Sequence, residues 1–255
     1  MTVPPMDASL WMRRFHPAPA GAPRLVCFPH AGGSASFYYP VSQALAGKVD
    51  VLAIQYPGRQ DRRSEPSPDS VDALVDGLYP ALKTVLGGPT AFFGHSMGAI
   101  LAFEVSRRLA EHDGFSPSVL FASGRRAPSS TRDENVHELD DAGVVREMQQ
   151  LSGTDARLLA DEEVLRMIMP AIRTDYKAIE TYRCAPGVTV DAPVLVLTGD
   201  EDPKTTLAEA RAWQGHTTGA FDLKVYPGGH FFLVQQAGAV IDTVRDRLLG
   251  AGVRG

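Results

Sequence analysis

Short apolar runs alternate with longer amphipathic stretches along much of the chain. The runs are bounded by Pro, Gly or charged residues and are typical of buried strands, whereas the stretches between them carry apolar residues at helical spacing. Such alternation predicts an α/β fold, with a mostly parallel central sheet and helices on both faces. The predicted strands are 24–28, 49–55, 90–93, 118–123, 193–198 and 221–226, and the predicted helices are about 36–45, 69–86, 99–108, 204–214 and 240–249.

The alternation stops between about residues 126 and 186. This segment contains no convincing strand, and the spacing of its apolar residues predicts two helices, over 140–151 and 162–182. A helical segment inserted between strands of an α/β sheet is typical of a lid over a site at the sheet edge. We expect one domain over residues 1–255 that includes this lid, after a loose, Pro- and Ala-rich lead-in over residues 1–22.

The sequence Gly94-His95-Ser96-Met97-Gly98 fits the pattern G-x-S-x-G between a predicted strand and a predicted helix. A turn this tight needs small neighbours around a strained central residue, and the two glycines provide that room. The serine hydroxyl would then lie at a helix N-terminus, where free N–H groups can stabilise an oxyanion. The alternative is a chance match in an ordinary turn.

Two further loops at strand ends complete a possible nucleophilic site. His230 follows the last predicted strand and a Gly pair, and either Asp200 or Asp202 follows the strand before it. A serine needs a base to take its proton, and that base needs an acid to fix its tautomer. We prefer Asp202, because Asp200 lies directly after Gly199 and can hydrogen-bond its own turn.

The loop after the first predicted strand, Pro29 to Ser34, contains a Gly pair that can expose backbone N–H groups. Esterases use a similar loop to supply an oxyanion donor. A plain turn and a phosphate-binding loop are the alternatives, although no G-K-[ST] follows. A later loop carries Arg59, Arg62 and Arg63, which are either solvated or form an anion-binding patch.

Composition narrows the possible functions further. The 255 residues include 25 Lys and Arg against 30 Asp and Glu, a net charge of −5 that argues against nucleic acid as a partner. Neither metal-ligand spacing nor a run long enough for a signal peptide or a membrane span occurs. We therefore expect a cytoplasmic protein with no metal and no membrane contact, in which Cys27 and Cys184 are free thiols.

Taken together, these motifs resemble those of the type II thioesterases, stand-alone enzymes of polyketide and nonribosomal peptide pathways. The resemblance implies an α/β-hydrolase with a helical lid that removes stalled or wrong acyl groups from the phosphopantetheine arms of carrier proteins. It implies no cofactor other than the phosphopantetheine that the substrate carries. The motifs are Phe28-Pro29-His30-Ala31-Gly32-Gly33, Tyr56-Pro57-Gly58-Arg59, Gly94-His95-Ser96-Met97-Gly98, Gly199-Asp200-Glu201-Asp202 and Gly228-Gly229-His230-Phe231-Phe232.

Matching these motifs assigns a role to each residue of the site. The resemblance implies Ser96 as nucleophile, His230 as base and Asp202 as acid, with the oxyanion bound by the N–H groups of Met97 and Ala31. An acyl or peptidyl carrier protein would arrive in trans, and Arg59, Arg62 or Arg63 could contact its acidic surface or its phosphate. Apolar lid residues such as Met169 and Ile172 could line the acyl pocket. We expect a monomer.

Three other functions use the same residues or retain them without catalysis. A small-molecule carboxylesterase or lipase would use the same triad on free esters. A chain-releasing cyclase would use a nucleophile supplied by the substrate. A non-catalytic carrier-binding module would keep the triad without using it.

Overall fold

Seven strands form a single sheet in the computed structural model, which describes residues 8–151 and 161–250. The strand order is β1-β3-β2-β4-β5-β6-β7, and every neighbouring pair from β3 to β7 is parallel, while β1 runs antiparallel to β3. The strands are β1 (Met12–Arg13), β2 (Arg24–Phe28), β3 (Asp50–Ile54), β4 (Thr90–His95), β5 (Leu120–Ser123), β6 (Val194–Gly199) and β7 (Phe221–Tyr226).

The helices cover both faces of this sheet. They are α1 (Tyr39–Ala44), α2 (Val71–Lys83), α3 (Met97–Asp113), α4 (Asp141–Leu151), α5 (Glu162–Thr181), α6 (Leu207–Arg211), α7 (Phe232–Gln235) and α8 (Ala237–Gly250). The predicted helices at 36–45 and 204–214 each include a 3₁₀ segment, at Ala35–Tyr38 and Ala212–His216.

Alternate residues of each strand enter different cores. Val26 of β2 packs in the same cluster as α2 and α3, whereas Leu25 packs in the cluster that contains Val240 and Val244 of α8. Because both faces of the sheet are covered, the central strands are apolar at nearly every position, which is why they could be predicted from continuous apolar runs. The mostly parallel α/β fold is confirmed.

The two helices of the predicted lid, α4 and α5, lie between β5 and β6. They share a small apolar cluster made by Val136, Val144, Met169 and Ile172. α5 begins at Asp161, whose side chain accepts hydrogen bonds from the N–H groups of Glu163 and Val164. Residues 152–160 of the predicted lid, like the chain ends at 1–7 and 251–255, lie outside the described residues.

The prediction of a loose lead-in over residues 1–22 was wrong in part. Met12 and Arg13 form β1, opposite Ile54 and Ala53 of β3, and the buried Trp11 accepts a hydrogen bond at its carbonyl from the N–H of Gln55. Two residues are too short a run to show strand periodicity, so the sequence carried no signal for this strand.

Cys27 is buried on β2 and Cys184 is partly buried near the end of the lid, and the two thiols are free, as predicted. Nowhere in residues 8–151 and 161–250 is a helix both long enough and apolar enough to cross a bilayer.

Candidate active site

The strand-to-helix turn at Ser96 has the strained geometry that the motif predicts. Ser96 has φ 53° and ψ −119°, one of two positive-φ positions that are not glycine among the described residues. A Cβ on Gly94 would lie 2.2 Å from the carbonyl oxygen of Gly98, and a Cβ on Gly98 would lie 2.0 Å from the carbonyl oxygen of Phe28. Both positions therefore require glycine, and the turn places Ser96 between β4 and the N-terminus of α3.

His230 and Asp202 form a buried pair at the ends of β7 and β6. The Nδ1 atom of His230 lies 3.0 Å from each carboxylate oxygen of Asp202, and the two side chains are almost inaccessible to solvent. A carboxylate at Nδ1 favours the tautomer in which Nδ1 carries the proton and Nε2 is free to accept one.

Asp200 has a different contact. It is exposed, and its carboxylate accepts a hydrogen bond of 2.8 Å from the N–H of Gly228. Asp200 thus connects the two loops that carry the acid and the base, and the structure pairs Asp202, not Asp200, with His230.

Ser96 and His230 line a common cavity of about 50 Å³, together with His30 and Ala31. Ala31 belongs to the Gly-rich loop after β2. Met97 is the first residue of α3, so its N–H is one of the four that a helix leaves without an internal acceptor. The two predicted oxyanion donors thus come from different segments: Ala31 precedes Ser96 in the chain and Met97 follows it. The fold brings both segments to this edge of the sheet.

The Gly-rich loop is attached to the lid by a buried ion pair. Asp175 of α5 is fully buried and accepts two hydrogen bonds, of 2.8 and 2.9 Å, from Nη2 of Arg59. It also accepts one of 2.7 Å from the N–H of Gly32, and Nη1 of Arg59 donates to the carbonyl of Gly33. Burial raises the pKa of Asp175, although the Arg59 guanidinium opposes this shift.

The Arg59 side chain is buried against Asp175, and its predicted contact with the carrier or its phosphate stays a prediction. Sequence reasoning missed Asp175. It occupies the buried stripe of α5, three residues after Ile172 and four before Ile179, and a lone acid on such a stripe is a signal for a buried partner.

Arg62 is also buried, and its predicted contact with the carrier or its phosphate stays a prediction. Its guanidinium lies 4.4 Å from the ring centre of Trp11 and makes two hydrogen bonds, of 2.8 and 2.5 Å, to Glu65. The side chain is 4% exposed, and it joins the N-terminal segment to the turn after β3. Arg63, the third arginine of the run, is exposed.

A second cavity, of about 470 Å³, adjoins the first, and His30, Ala31 and Met148 line both. Apolar residues of α5, including the predicted Ile172, form one part of its wall, and Arg59 and Arg63 are also among the residues that line it. Met169 packs with Ile172 in the small apolar cluster of the lid but is not among the residues that line this cavity. Ile172 thus shares the cavity with two of the predicted carrier-binding arginines, Arg59 and Arg63.

Two further histidines surround the base. Burial, with the His230 charge, lowers the pKa of His95 well below its ordinary value, and burial lowers the pKa of His30 to about 3. The His95 ring lies 5.1 Å from that of His230, and its Nδ1 is 3.1 Å from the hydroxyl of Ser123. Both rings stay neutral near pH 7, so His230 is the histidine of this group that is placed to exchange protons.

Along the chain the order is Ser96, Asp202, His230, which differs from the order in either common type of serine protease and is the order of the α/β-hydrolases. The mostly parallel sheet that carries these residues is also typical of that class. The protein is an α/β-hydrolase by fold and by site. Within that class, the family model described as Thioesterase domain matches residues 23–248, and the chain belongs to this family.

The chain is also similar to individual proteins. It is 56% identical over 233 residues to the probable cadicidin biosynthesis thioesterase of Streptomyces griseus, an alignment that covers 91% of this chain and 64% of that relative. It is 49% identical over 245 residues to Thioesterase PikA5 of Streptomyces venezuelae, which covers 96% of this chain and 87% of the relative. The structure of BorB, the type II thioesterase from the borrelidin biosynthetic cluster, matches with a TM-score of 0.89 and 48% identity, over 95% of this chain and 99% of that one.

Proposed function

We propose that the protein is an editing thioesterase that hydrolyses acyl groups from the phosphopantetheine arms of carrier proteins in polyketide or nonribosomal peptide synthesis. The observation that carries this proposal is a strained Ser96 sharing one cavity with the buried His230–Asp202 pair. The biosynthetic thioesterases to which the chain is similar supply the substrate class.

The acylation half of the reaction uses Ser96 and His230. The Ser96 oxygen forms a bond to the thioester carbonyl carbon while its proton passes to Nε2 of His230. The N–H groups of Met97 and Ala31 stabilise the resulting oxyanion. When the C–S bond breaks, the proton on His230 passes to the departing pantetheine sulfur, which leaves a free thiol and an acyl-serine.

The deacylation half repeats these transfers with water. A water molecule attacks the acyl-serine carbonyl and gives a proton to His230. The C–O bond to Ser96 then breaks, His230 returns the proton to the serine oxygen, and a carboxylic acid leaves. Asp202 stabilises the imidazolium in both halves and holds the ring so that Nε2 faces the reaction.

We assign the 470 Å³ cavity to the pantetheine arm. This cavity shares His30, Ala31 and Met148 with the serine cavity, and Arg59 and Arg63 are among its lining residues. A largely apolar passage with cationic side chains in its wall suits an arm whose outer end is a phosphate. Ile172 would then contact the arm, and the smaller cavity beside Ser96 would hold the acyl group.

We propose that the carrier arrives in trans. We further propose that the protein acts in the cytoplasm as a monomer. The reaction as proposed uses no metal and no cofactor besides the phosphopantetheine of the substrate.

A comparison of thioester and ester substrates tests this function. The purified protein should hydrolyse a short acyl group from a carrier protein with a higher kcat/KM than the p-nitrophenyl ester of the same acid. A reversed preference would identify a carboxylesterase. No reaction with either, and no labelling by a fluorophosphonate probe, would identify a binding module.

The role of Arg63 has its own test. For Arg63→Ala, the ratio of kcat/KM on the acyl-carrier protein to that on a carrier-free thioester should fall, and the salt dependence of the first should weaken. Arg211, which is exposed on the short helix α6, gives a matched control as Arg211→Ala. An unchanged ratio in Arg63→Ala would mean that the carrier docks elsewhere.

A further inference from the structure

The small cavity beside Ser96 has a charged wall that the proposed mechanism does not use. Arg125, Glu134, Glu180 and Lys204 line it together with Ser96 and His230. Arg125 follows the end of β5 at the start of the lid. Met148, Leu151, Ile179 and Phe231 line the rest of the cavity, so it offers apolar contacts on one part of its surface and charged groups on another. The charged part indicates an acyl group that carries a polar atom.

The other charges of this wall are paired. Glu134 accepts hydrogen bonds from Arg126, at 2.6 Å, and from Lys204, at 3.1 Å. Glu180 accepts from the N–H groups of Val136 and His137, and its Oε2 lies 2.5 Å from Nδ1 of the His137 ring.

Lys204 also contacts Glu147. Both carboxylates of the wall, Glu134 and Glu180, therefore bond groups other than Arg125, and neither forms an ion pair with it.

Arg125 differs from its neighbours. Within residues 8–151 and 161–250, its side chain makes no ion pair, and its Nε is buried without a hydrogen-bond partner. Burial, with the adjacent Arg126 charge, lowers the pKa of Arg125 to about 9, so the group remains charged at neutral pH. A partly buried guanidinium without an acceptor is unfavourable, and an oxygen from a ligand would relieve it.

We propose that Arg125 is a specificity-determining residue that binds a ketone or carboxylate oxygen on the acyl group attached to Ser96. This inference rests on the proposed thioesterase function and specifies the chemical class of acyl group that the enzyme would hydrolyse. The acceptor would lie on a carbon beyond the thioester carbonyl, where the planar guanidinium can donate one or two hydrogen bonds.

The size of the cavity limits the length of this acyl group. A water molecule needs about 10–15 Å³ of such space, so a cavity of about 50 Å³ holds roughly four heavy atoms. Beyond the thioester carbonyl, an acetoacetyl group and a malonyl group each have four heavy atoms and carry the required oxygen. Both belong to the same chemistry, an oxygen acceptor close to the thioester.

Three thioesters of N-acetylcysteamine of matched size test the proposal. Butanoyl has no acceptor, acetoacetyl has a ketone at carbon 3, and malonyl has a carboxylate there. Wild-type protein should show the higher kcat/KM on one or both of the oxygenated substrates. In Arg125→Met, which keeps the length and removes the charge, the ratio of oxygenated to butanoyl kcat/KM should fall about 10- to 100-fold, as for a lost charge-assisted hydrogen bond.

Two further variants secure the comparison. Arg125→Lys keeps the charge but lacks the planar guanidinium, so its ratio of oxygenated to butanoyl kcat/KM should lie between those of wild type and Arg125→Met. If Arg125→Met fails to fold, Arg125→Lys tests the proposal in its place. Arg211→Met removes an exposed arginine away from the cavity and should keep the wild-type ratio. A fall for malonyl alone would identify a carboxylate ligand, and a fall for acetoacetyl alone a ketone ligand.

The proposal and the thioesterase function fail in different ways. Ratios that stay within about 2-fold of wild type in folded Arg125→Met and Arg125→Lys, with butanoyl still hydrolysed, would overturn the role of Arg125 alone. If wild-type protein hydrolysed none of the three thioesters, nor an acyl-carrier protein, both would be overturned.

Discussion

Replacing Asp175 with asparagine should both destabilise the protein and slow its reaction. The asparagine keeps the shape of the side chain, and its oxygen can still accept the N–H of Gly32. However, its amide nitrogen is a donor and cannot pair with the donors of Arg59, which now contact two carboxylate oxygens. The substitution therefore leaves the Arg59 charge buried without a counter-charge.

The magnitude follows from the burial of the pair. Asp175 is fully buried and Arg59 is 7% exposed, and removing one partner of such a pair costs about 3–5 kcal/mol. For a chain of this length, that is a fall in Tm of about 6–20 °C. Urea unfolding of Asp175→Asn and wild type measures the free energy directly.

An exposed ion pair between α4 and α5 gives the control. Arg173 of α5 bonds Asp141 of α4 at 2.7 Å, and the Asp141 side chain is 71% exposed. Asp141→Asn should change the free energy of unfolding by less than about 1 kcal/mol, since exposed pairs contribute little.

A double variant separates stability from positioning. Because burial of the pair costs free energy, as the raised pKa of Asp175 indicates, Arg59→Met with Asp175→Leu should recover most of the stability lost in Asp175→Asn. Its kcat should stay about 10- to 100-fold below wild type, because Gly32 has lost its anchor and the Ala31 N–H is no longer held in place. The reasoning would be refuted by wild-type kcat in the folded double variant, or by a loss below about 1 kcal/mol in Asp175→Asn.

Three further predictions concern the triad, the elbow and the lid contact. Asp202→Asn should lower kcat about 10⁴-fold through the wrong histidine tautomer, whereas Asp200→Asn should mainly lower the Tm; the reverse pattern would mean that the wrong carboxylate carries the role. Gly98→Ala should lose about 1–3 kcal/mol of stability in urea unfolding, because the new Cβ meets a backbone oxygen 2.0 Å away; equal stability would show that the turn can shift. Burial raises the pKa of Glu209, but the hydrogen bond from Arg132 outweighs burial and lowers the pKa from 4.5 to about 2. The ionised Glu209 side chain therefore stabilises the fold fully above pH 4.5, and this stabilisation is lost as the pH falls towards 2. The stability difference between wild type and Glu209→Gln should therefore shrink between pH 6 and pH 3, and a constant difference would contradict the shift.

Much of this fold could be predicted from local pattern. Five of the six parallel strands, β2 to β6, are nearly continuous apolar runs because helices cover both faces of the sheet, whereas the edge strand β7 carries charged residues and is partly exposed. Ser70 caps α2 through its hydroxyl, as a residue before a helix often does. The strand β1 could not be predicted, because its two residues are held by contacts with Ile54 and Ala53 that are distant in sequence. Local pattern carries no information about such a partner.

The candidate active site, like the fold, could be predicted only in part from the sequence. Chain order and strand ends were enough to place Ser96 and His230 at one edge of the sheet, because parallel strands bring their carboxyl ends together. The burial of Arg59 and Arg62 could not be predicted, because it depends on Asp175 and Trp11, which only the folded chain brings close to them. The unpaired state of Arg125 is also a property of the folded chain, since it depends on which acids the neighbouring cations already engage.

The most direct test of the account is the turnover of an acyl-carrier protein by Ser96→Ala, followed as release of the free carrier thiol. The account predicts a fall in kcat of at least about 10⁴-fold, because the bond-forming atom is gone, with thermal unfolding at the wild-type temperature or above. A folded Ser96→Ala protein that kept more than about one tenth of wild-type turnover would contradict the assignment of Ser96 as nucleophile, and with it the proposed mechanism.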